Sequence, residues 1–332
     1  MQENPGPQIP YGPRPPEWPA AHPYPPAPQP TPWFLPTPRG ARYDQLARTP
    51  DARLWRQIVG TITVAGGFLL IGVFVVVAGA VVATMAGISA PMRVGRYFGD
   101  PVFEMVVLLL SIALVLPLVF GTAALVQRRR PGTLSSVAGR LRWSWLLRFI
   151  ALGVLALALG QAAQVVALVL TGEEASELFG WVGWSAFLPA LVAIVLLVPF
   201  QAATEEYLFR GWVLQAFGAH LRNPVWGILI GAGIFASLHG YTWVGLIDVF
   251  AFGVVMGWLA VRTGGLEAAI ALHVVNNMVA FGLSAAAGKL EEALQQGAVP
   301  WQSLAGTVVQ LGVFTVGVLY LSKKRSISTI SG

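Results

Sequence analysis

Long apolar segments constrain this chain more than any other feature of its sequence. A helix that crosses a bilayer needs about 20 mostly apolar residues, and eight segments reach or approach that length. They are residues 58–86, 102–126, 146–170, 181–204, 225–240, 244–262, 266–286 and 303–321. Since only helices and closed barrels span a bilayer, these segments predict an all-α fold, a polytopic membrane bundle of about eight transmembrane helices.

The composition favours the same class. Hydrophobic residues make up 55% of the chain and charged residues only 11%, whereas soluble domains carry about 25% charged residues. So few charges cannot solvate a folded surface, and most of it must therefore face lipid. The absence of cysteine excludes disulfides, thiolate metal ligands and a cysteine nucleophile. The formal net charge of +6 does not indicate nucleic-acid binding, because the arginines lie between apolar segments, where they set topology.

The N-terminal region has a different composition from the rest. Sixteen of the 24 prolines lie within the first 50 residues. Proline lacks a backbone donor and resists helix formation, so residues 1–50 are predicted to be a disordered, proline-rich tail. We divide the remaining chain into N-terminal transmembrane helices over 51–180, a catalytic core over 181–290, and a C-terminal helix with a basic tail over 291–332.

Lysine and arginine predict the orientation. They precede the first apolar segment, fill the connection after the second, and end the chain at Lys323, Lys324 and Arg325. Positive segments remain in the cytoplasm, so we expect an integral protein of the plasma membrane with both termini cytoplasmic. The charged stretch 201–220 either extends the fourth helix past Pro199 or forms a separate half-helix.

Ionisable residues inside membrane segments indicate a functional site. A charge at a helix centre costs about 2.5–3.5 kcal/mol on insertion scales, and here such residues cluster in 204–210, 235–239 and 273–277. Glu206 and Arg210 are four residues apart with the acid first, which favours a supporting ion pair. Glu205 diverges from Glu206 by about 100° around the helix. We therefore assign Glu205 to chemistry.

The spacing also predicts which residues meet. Glu205 and His239 are each 17 residues from residue 222, so two antiparallel helices joined there would place them at the same depth. His273 and Asn277 lie four residues apart and share a helix face. Both side chains could point into one cavity.

A carboxylate beside an imidazole can activate water as a general base. In that reading Glu205 and His239 activate water, and His273 and Asn277 stabilise the oxyanion that forms when water attacks a peptide carbonyl. Alternatively, Glu205, His239 and His273 could hold a divalent metal such as zinc, although no His-Glu-x-x-His motif is present. The first reading needs no cofactor.

Two other classes of function are compatible with buried polar residues. One is a non-catalytic membrane scaffold or chaperone on a protease-like fold. The other is a proton-coupled transporter, which would need polar residues along a continuous path through several helices.

Three motifs in fixed order carry a family resemblance. Glu-Glu-x-x-x-Arg at 205–210, Phe-x-x-x-His at 235–239 and His-x-x-x-Asn at 273–277 resemble the CPBP family, the CAAX proteases and bacteriocin-processing enzymes also called Abi. The stretch 252–264 is similar to that family's connecting helix. The resemblance covers about 200–280.

The resemblance implies a multi-helix intramembrane endopeptidase that acts on a peptide or membrane-protein substrate within the lipid bilayer. Glu205 and His239 would correspond to the water-activating pair, and His273 and Asn277 to the oxyanion or ligand pair. The family is described both as metal-dependent and as a glutamate-type protease, so the resemblance does not decide whether a metal ion takes part in catalysis. Prenylated CAAX ends, leader peptides and other membrane-embedded peptides are all compatible substrates.

Overall fold

The structure, a computed structural model, describes residues 6, 12, 32–49, 53–89, 96–173 and 180–332. The long regular elements in these ranges are all helices, which confirms the predicted fold class. They are α1 (Leu54–Met85), α2 (Pro101–Ala113), α3 (Val115–Leu125), α4 (Trp143–Leu170), α5 (Trp184–Glu206), a π-helical segment (Tyr207–Val213), α6 (Leu214–Gly218), α7 (Val225–Ser237), α8 (Trp243–Thr263), α9 (Glu267–Ala286), α10 (Leu290–Gln295) and α11 (Ser303–Lys324).

Seven helical segments in the described ranges are long and apolar enough to cross a membrane. They are α1, α2 with α3, α4, α5 through α6, α8, α9 and α11. The remaining predicted segment, 225–240, forms α7, which is apolar but has only 13 residues. At 1.5 Å per residue α7 is about 20 Å long, short of the roughly 30 Å hydrocarbon core. The protein is therefore an integral membrane bundle, with seven full-length apolar helices and one short one in the part of the chain that the structure describes.

The stretch 201–220 extends the fourth long helix and is not a separate half-helix. α5 contains Pro199 and ends at Glu206, the segment Tyr207–Val213 continues with π-helical geometry, and α6 ends at Gly218. Single π-helical turns inside α-helices occur frequently at functional sites. This one begins directly after the two glutamates.

The second span is interrupted at Leu114, between α2 and α3. Pro117 has no N–H to donate to the carbonyl of Ala113, four residues earlier, which accounts for the break. The hydroxyl of Thr204, the residue before Glu205, lies 3.5 Å from that carbonyl oxygen. The interruption therefore faces the part of α5 that carries the glutamates.

α7 runs back along α6 and the π-helical segment. The ring centroids of Phe209 and Phe235 are 5.3 Å apart, and a Cβ at Gly227 would lie 3.0 Å from Leu214 and 3.2 Å from Phe217. The residue numbers of each contacting pair are centred near 222. This is the antiparallel pairing that the sequence predicts.

α7 and α8 approach each other closely through two glycines. A Cβ at Gly253 would lie 2.8 Å from Cβ of Ala232, and one at Gly257 would lie 3.2 Å from Ile228. Glycine removes the side chain that would separate two helices. The same hypothetical Cβ at Gly253 would lie 3.2 Å from Nη2 of Arg210, so this packing also encloses a site residue.

The disordered tail predicted over 1–50 is too long. Residues 1–31, apart from 6 and 12, lie outside the described residues, but Trp33 to Thr49 belong to the same folded unit as the membrane helices. Tyr43 is fully buried and its hydroxyl donates to the carbonyl of Leu134. The backbone N–H of Ala41 donates to Oγ of Ser331. The high proline content predicted disorder over this whole region. The contacts that hold residues 33–49 depend on a few buried side chains, which no periodic sequence pattern indicates.

The basic connections collect at one end of the bundle. Arg48 donates to the carbonyls of Gly218 and Leu221, each at 3.0 Å. Arg142, in the connection before α4, forms a 2.6 Å ion pair with the fully buried Glu267 at the start of α9. We call this end the basic end.

Candidate active site

The two adjacent glutamates lie inside the membrane-spanning part of the long helix. Glu205 is 13 residues before Gly218, where α6 ends, so it lies roughly 20 Å from the basic end. Glu206 is fully buried, and the side chain of Glu205 is 12% exposed. Because neighbouring helical residues diverge, the two carboxylates contact different atoms.

Glu206 forms the supporting ion pair that the sequence predicts. Its Oε1 accepts from Nη1 of Arg210 at 2.8 Å, and both side chains are buried. The Arg210 guanidinium also lies over the ring of Phe235, 4.3 Å from its centroid. Aromatic faces attract cations, so the arginine is held from two sides.

Glu206 also orients His273. The Nδ1–H of His273 donates to Oε1 of Glu206 at 2.7 Å, because an ionised carboxylate can only accept. The imidazole packs edge-on against Phe235 and Phe252, with ring centroids 5.8 and 5.4 Å away. These contacts fix the ring so that Nε2 points away from Glu206.

Glu205 meets the other nitrogen of the same ring. Its Oε2 lies 3.3 Å from Nε2 of His273. This is an ion-pair distance if His273 is protonated. With a protonated His273 the net charge of Glu205, Glu206, Arg210 and His273 is zero, which suits a low-dielectric setting.

His239 lies just beyond the end of α7. Its Nδ1–H donates to the carbonyl of Phe235 at 2.8 Å, and this leaves the lone pair of Nε2 available in the neutral ring. The rings of His239 and Phe235 are 4.7 Å apart, so His239 and His273 pack against the same phenyl group. The side chain of His239 is half-buried.

Glu205 contacts His273, which packs against Phe235 as His239 does, but no hydrogen bond joins Glu205 and His239 in the described structure. The antiparallel pairing continues from Phe209 and Phe235 towards both residues. In the structure the direct partner of Glu205 is His273 and not His239.

Asn277 is one turn after His273 on α9. Its Nδ2 donates to Oε1 of Gln201 at 3.0 Å, and because an amide nitrogen carries two hydrogens, one remains for another acceptor. Sequence reasoning missed Gln201, although it precedes Glu205 by four residues and so shares its helix face. It also missed Asp248 on α8, whose Oδ1 accepts from Thr307 at 2.8 Å.

A connection covers the site at the end opposite to the basic end. The ring of Tyr241 stacks on His239 at 6.2 Å, and the N–H of Gly240 donates to the side chain of Gln296, just after α10. Burial, and secondarily the charge of Asp248, raise the pKa of Tyr241. Tyr241 is therefore neutral at physiological pH and able to donate a hydrogen bond.

The alternative zinc site is not assembled among the described residues. In the described part of the chain, no three His, Asp or Glu side chains form a group that could hold a metal ion. The Nδ1 atoms of His273 and His239 bond to Glu206 and to the carbonyl of Phe235, which leaves the two Nε2 atoms as the nitrogens that a metal would use. A zinc ion would need these two nitrogens and Glu205 to converge on one point.

The fold and the site together define an integral membrane protein with a buried glutamate–histidine cluster between its helices. Residues 184–279 match the family model described as type II CAAX prenyl endopeptidase Rce1-like. This segment runs from the start of α5 into α9 and contains every predicted site residue. The chain thus carries an Rce1-like segment, which confirms the resemblance to the CPBP family, a family that includes proteases.

One curated relative is the uncharacterized protein YyaK of Bacillus subtilis (strain 168). It is 39% identical over 102 residues, which are 28% of this chain and 34% of YyaK. The match therefore covers about a third of the relative's length. No solved structure matches this chain significantly.

Proposed function

We propose that this protein is an intramembrane endopeptidase that hydrolyses a peptide bond with a water molecule activated by Glu205. The observation that carries this proposal is the 3.3 Å contact between Glu205 and His273, on a ring already oriented by Glu206. The Rce1-like match over the same residues supports it.

The proposed first step is attack of water on the substrate carbonyl. Glu205, ionised beside the His273 imidazolium, accepts a proton from a water molecule that lies between Glu205 and His239. The neutral Nε2 of His239 accepts a hydrogen bond from the same water. The oxygen of the water forms the new bond to the carbonyl carbon.

The oxyanion that results requires donors. Nε2–H of His273 and the second Nδ2 hydrogen of Asn277 are the two candidates, since both residues lie on one face of α9. The carbon–nitrogen bond then breaks, and Glu205 returns its proton to the leaving amine. Glu206 and Arg210 hold His273 in position and do not contact the substrate.

The substrate class that best suits a site at this depth is a peptide segment embedded in or anchored to the membrane. The description of the matched family points to prenylated C-terminal CAAX segments. Water must reach a site surrounded by apolar helices, and the half-buried His239 beside the connection after α7 is the proposed point of entry.

The test is a comparison of membrane peptides produced by cells that express wild-type protein or Glu205→Gln. The variant keeps the shape of the side chain and removes its basicity, so cleavage products should disappear while the protein still inserts. Glu173→Gln, an exposed residue after α4, is the matched control and should cleave normally. Identical peptide profiles for wild type and Glu205→Gln would refute the proposal and favour a non-catalytic scaffold.

A further inference from the structure

A second polar site lies at the basic end, apart from the glutamate–histidine cluster. A small cleft of about 10 Å³, room for roughly one water molecule, lies between the first turn of α1 and the segment after α3. The residues that line it are Ala47, Arg53, Arg56, Gln57, Gln127 and Arg129. Apart from Ala47, every lining side chain carries N–H donors.

Arg129 is the best-defined residue of this cleft. Its side chain is buried, and it donates from Nε to Oε1 of Gln127 at 2.8 Å and from Nη1 to Oε1 of Gln215 at 2.7 Å. Both acceptors are neutral amides. Among the described residues, no carboxylate forms an ion pair with any of the three lining arginines.

Two further N–H donors near this cleft have no acceptor among the described residues. Nε of Arg56 is buried without a hydrogen-bond partner, as is Nε of Arg48 next to Ala47. Burial also lowers the pKa of Arg129 to about 10. Buried cations are costly unless an opposite charge compensates them, and the acceptors of Arg129 among the described residues are both neutral.

The position of this cleft in the membrane indicates which kind of anion could bind there. Arg53 directly precedes the first membrane span, and Gln127 follows the end of the second at Leu125. Leu54 and Ile58, on the adjoining surface of α1, are more than half exposed and available to acyl chains. Basic pockets at the ends of membrane helices bind anionic lipid headgroups.

We propose that Arg53, Arg56 and Arg129 form a binding site for the phosphate of an anionic phospholipid headgroup. Guanidinium groups bind phosphate oxygens through charge-assisted hydrogen bonds. Gln215 lies on α6, in the same continuous helix as Glu205, so a bound phosphate also holds the end of the helix that carries the candidate catalytic glutamate.

The test measures lipid binding to purified full-length protein. Native mass spectrometry counts bound phosphatidylglycerol, and thermal unfolding is recorded with phosphatidylglycerol, phosphatidylcholine or inorganic phosphate at equal ionic strength. Wild type should retain phosphatidylglycerol and gain thermal stability from it, and not from phosphatidylcholine. The side chains of Arg53 and Arg56 form no hydrogen bond with another described residue, and Arg53→Gln/Arg56→Gln should bind phosphatidylglycerol at least about tenfold more weakly.

Two controls make the result decisive. Arg140→Gln removes an exposed arginine from the same connection and should bind like wild type; equal loss in this variant would mean diffuse surface charge and overturn the proposal. Stabilisation by inorganic phosphate that matches phosphatidylglycerol would support the phosphate site with a soluble source. If Asp51→Asn lowers the stability of lipid-free protein and the lipids have no effect, the counter-charge belongs to the chain and the proposal is wrong.

Discussion

Glu205 and His273 meet across two helices, with Oε2 of the carboxylate 3.3 Å from Nε2 of the imidazole. We use this contact to predict the effect of His273→Asn, which removes the imidazole that contacts Glu205. General acid–base groups contribute about 10²–10⁴-fold to rate, so we expect a loss of cleavage in that range. Cleavage of a membrane-peptide substrate in liposomes measures it. Retention of wild-type rate would mean that His273 only packs against Phe235 and Phe252.

The Glu206–Arg210 pair should behave as a structural unit. Removing one member leaves a buried, unpaired charge, which costs about 3–5 kcal/mol. Glu206→Leu and Arg210→Met should therefore each lower the melting temperature strongly, while the double variant should recover part of the loss. Melting temperatures in detergent give the double-mutant cycle. Strictly additive losses would contradict a paired role for the two charges.

Gly253→Ala should push α7 away from α8. The new Cβ would lie 2.8 Å from Cβ of Ala232 and 3.1 Å from its Cα, and overpacking of this kind costs about 1–3 kcal/mol. Because α7 leads to His239, activity should fall together with stability. Gly233→Ala is the matched control, since its Cβ would meet nothing within 4 Å; it should melt and cleave like wild type.

Arg142 should not be replaceable by lysine. Its guanidinium contacts both oxygens of Glu267 and the carbonyls of Thr263 and Ser328. A lysine ammonium cannot reproduce this planar set of donors, so Arg142→Lys should destabilise almost as much as Arg142→Gln. The rate of limited proteolysis in the C-terminal tail measures whether Ser328 has lost its contact with Arg142. A lysine variant with wild-type resistance would show that charge alone holds this connection.

Chelators should leave cleavage unchanged. The side chains of Glu205, His239 and His273 do not converge as zinc ligands in the described structure, so the proposed chemistry rests on proton transfer alone. Activity in liposomes is measured before and after dialysis against a chelator, with zinc added back. Loss on dialysis and recovery with zinc would require a different arrangement of these three residues.

The sequence predicted the helices and much of the site because both follow from local periodicity. The four-residue spacing predicted the Glu206–Arg210 pair. Symmetry about residue 222 predicted that α7 packs antiparallel to the end of the preceding long helix. It could not predict that Glu205 contacts His273, since the depth of α9 depends on helix tilts. Gln201 was not predicted because a single neutral amide in an apolar segment has a smaller free-energy cost of membrane insertion than a charged side chain, and is therefore a weaker sign of a functional site.

The π-helical segment Tyr207–Val213 makes the long helix sensitive to its number of residues. In an α-helix each residue advances the chain by about 100° around the axis, and a π-helical turn accommodates one residue more. Deleting a single residue here would restore α-helical geometry and rotate one half of the helix against the other. The glutamates and Gln215 could then no longer both face their present partners, so evolution at these positions should accept substitutions far more readily than deletions.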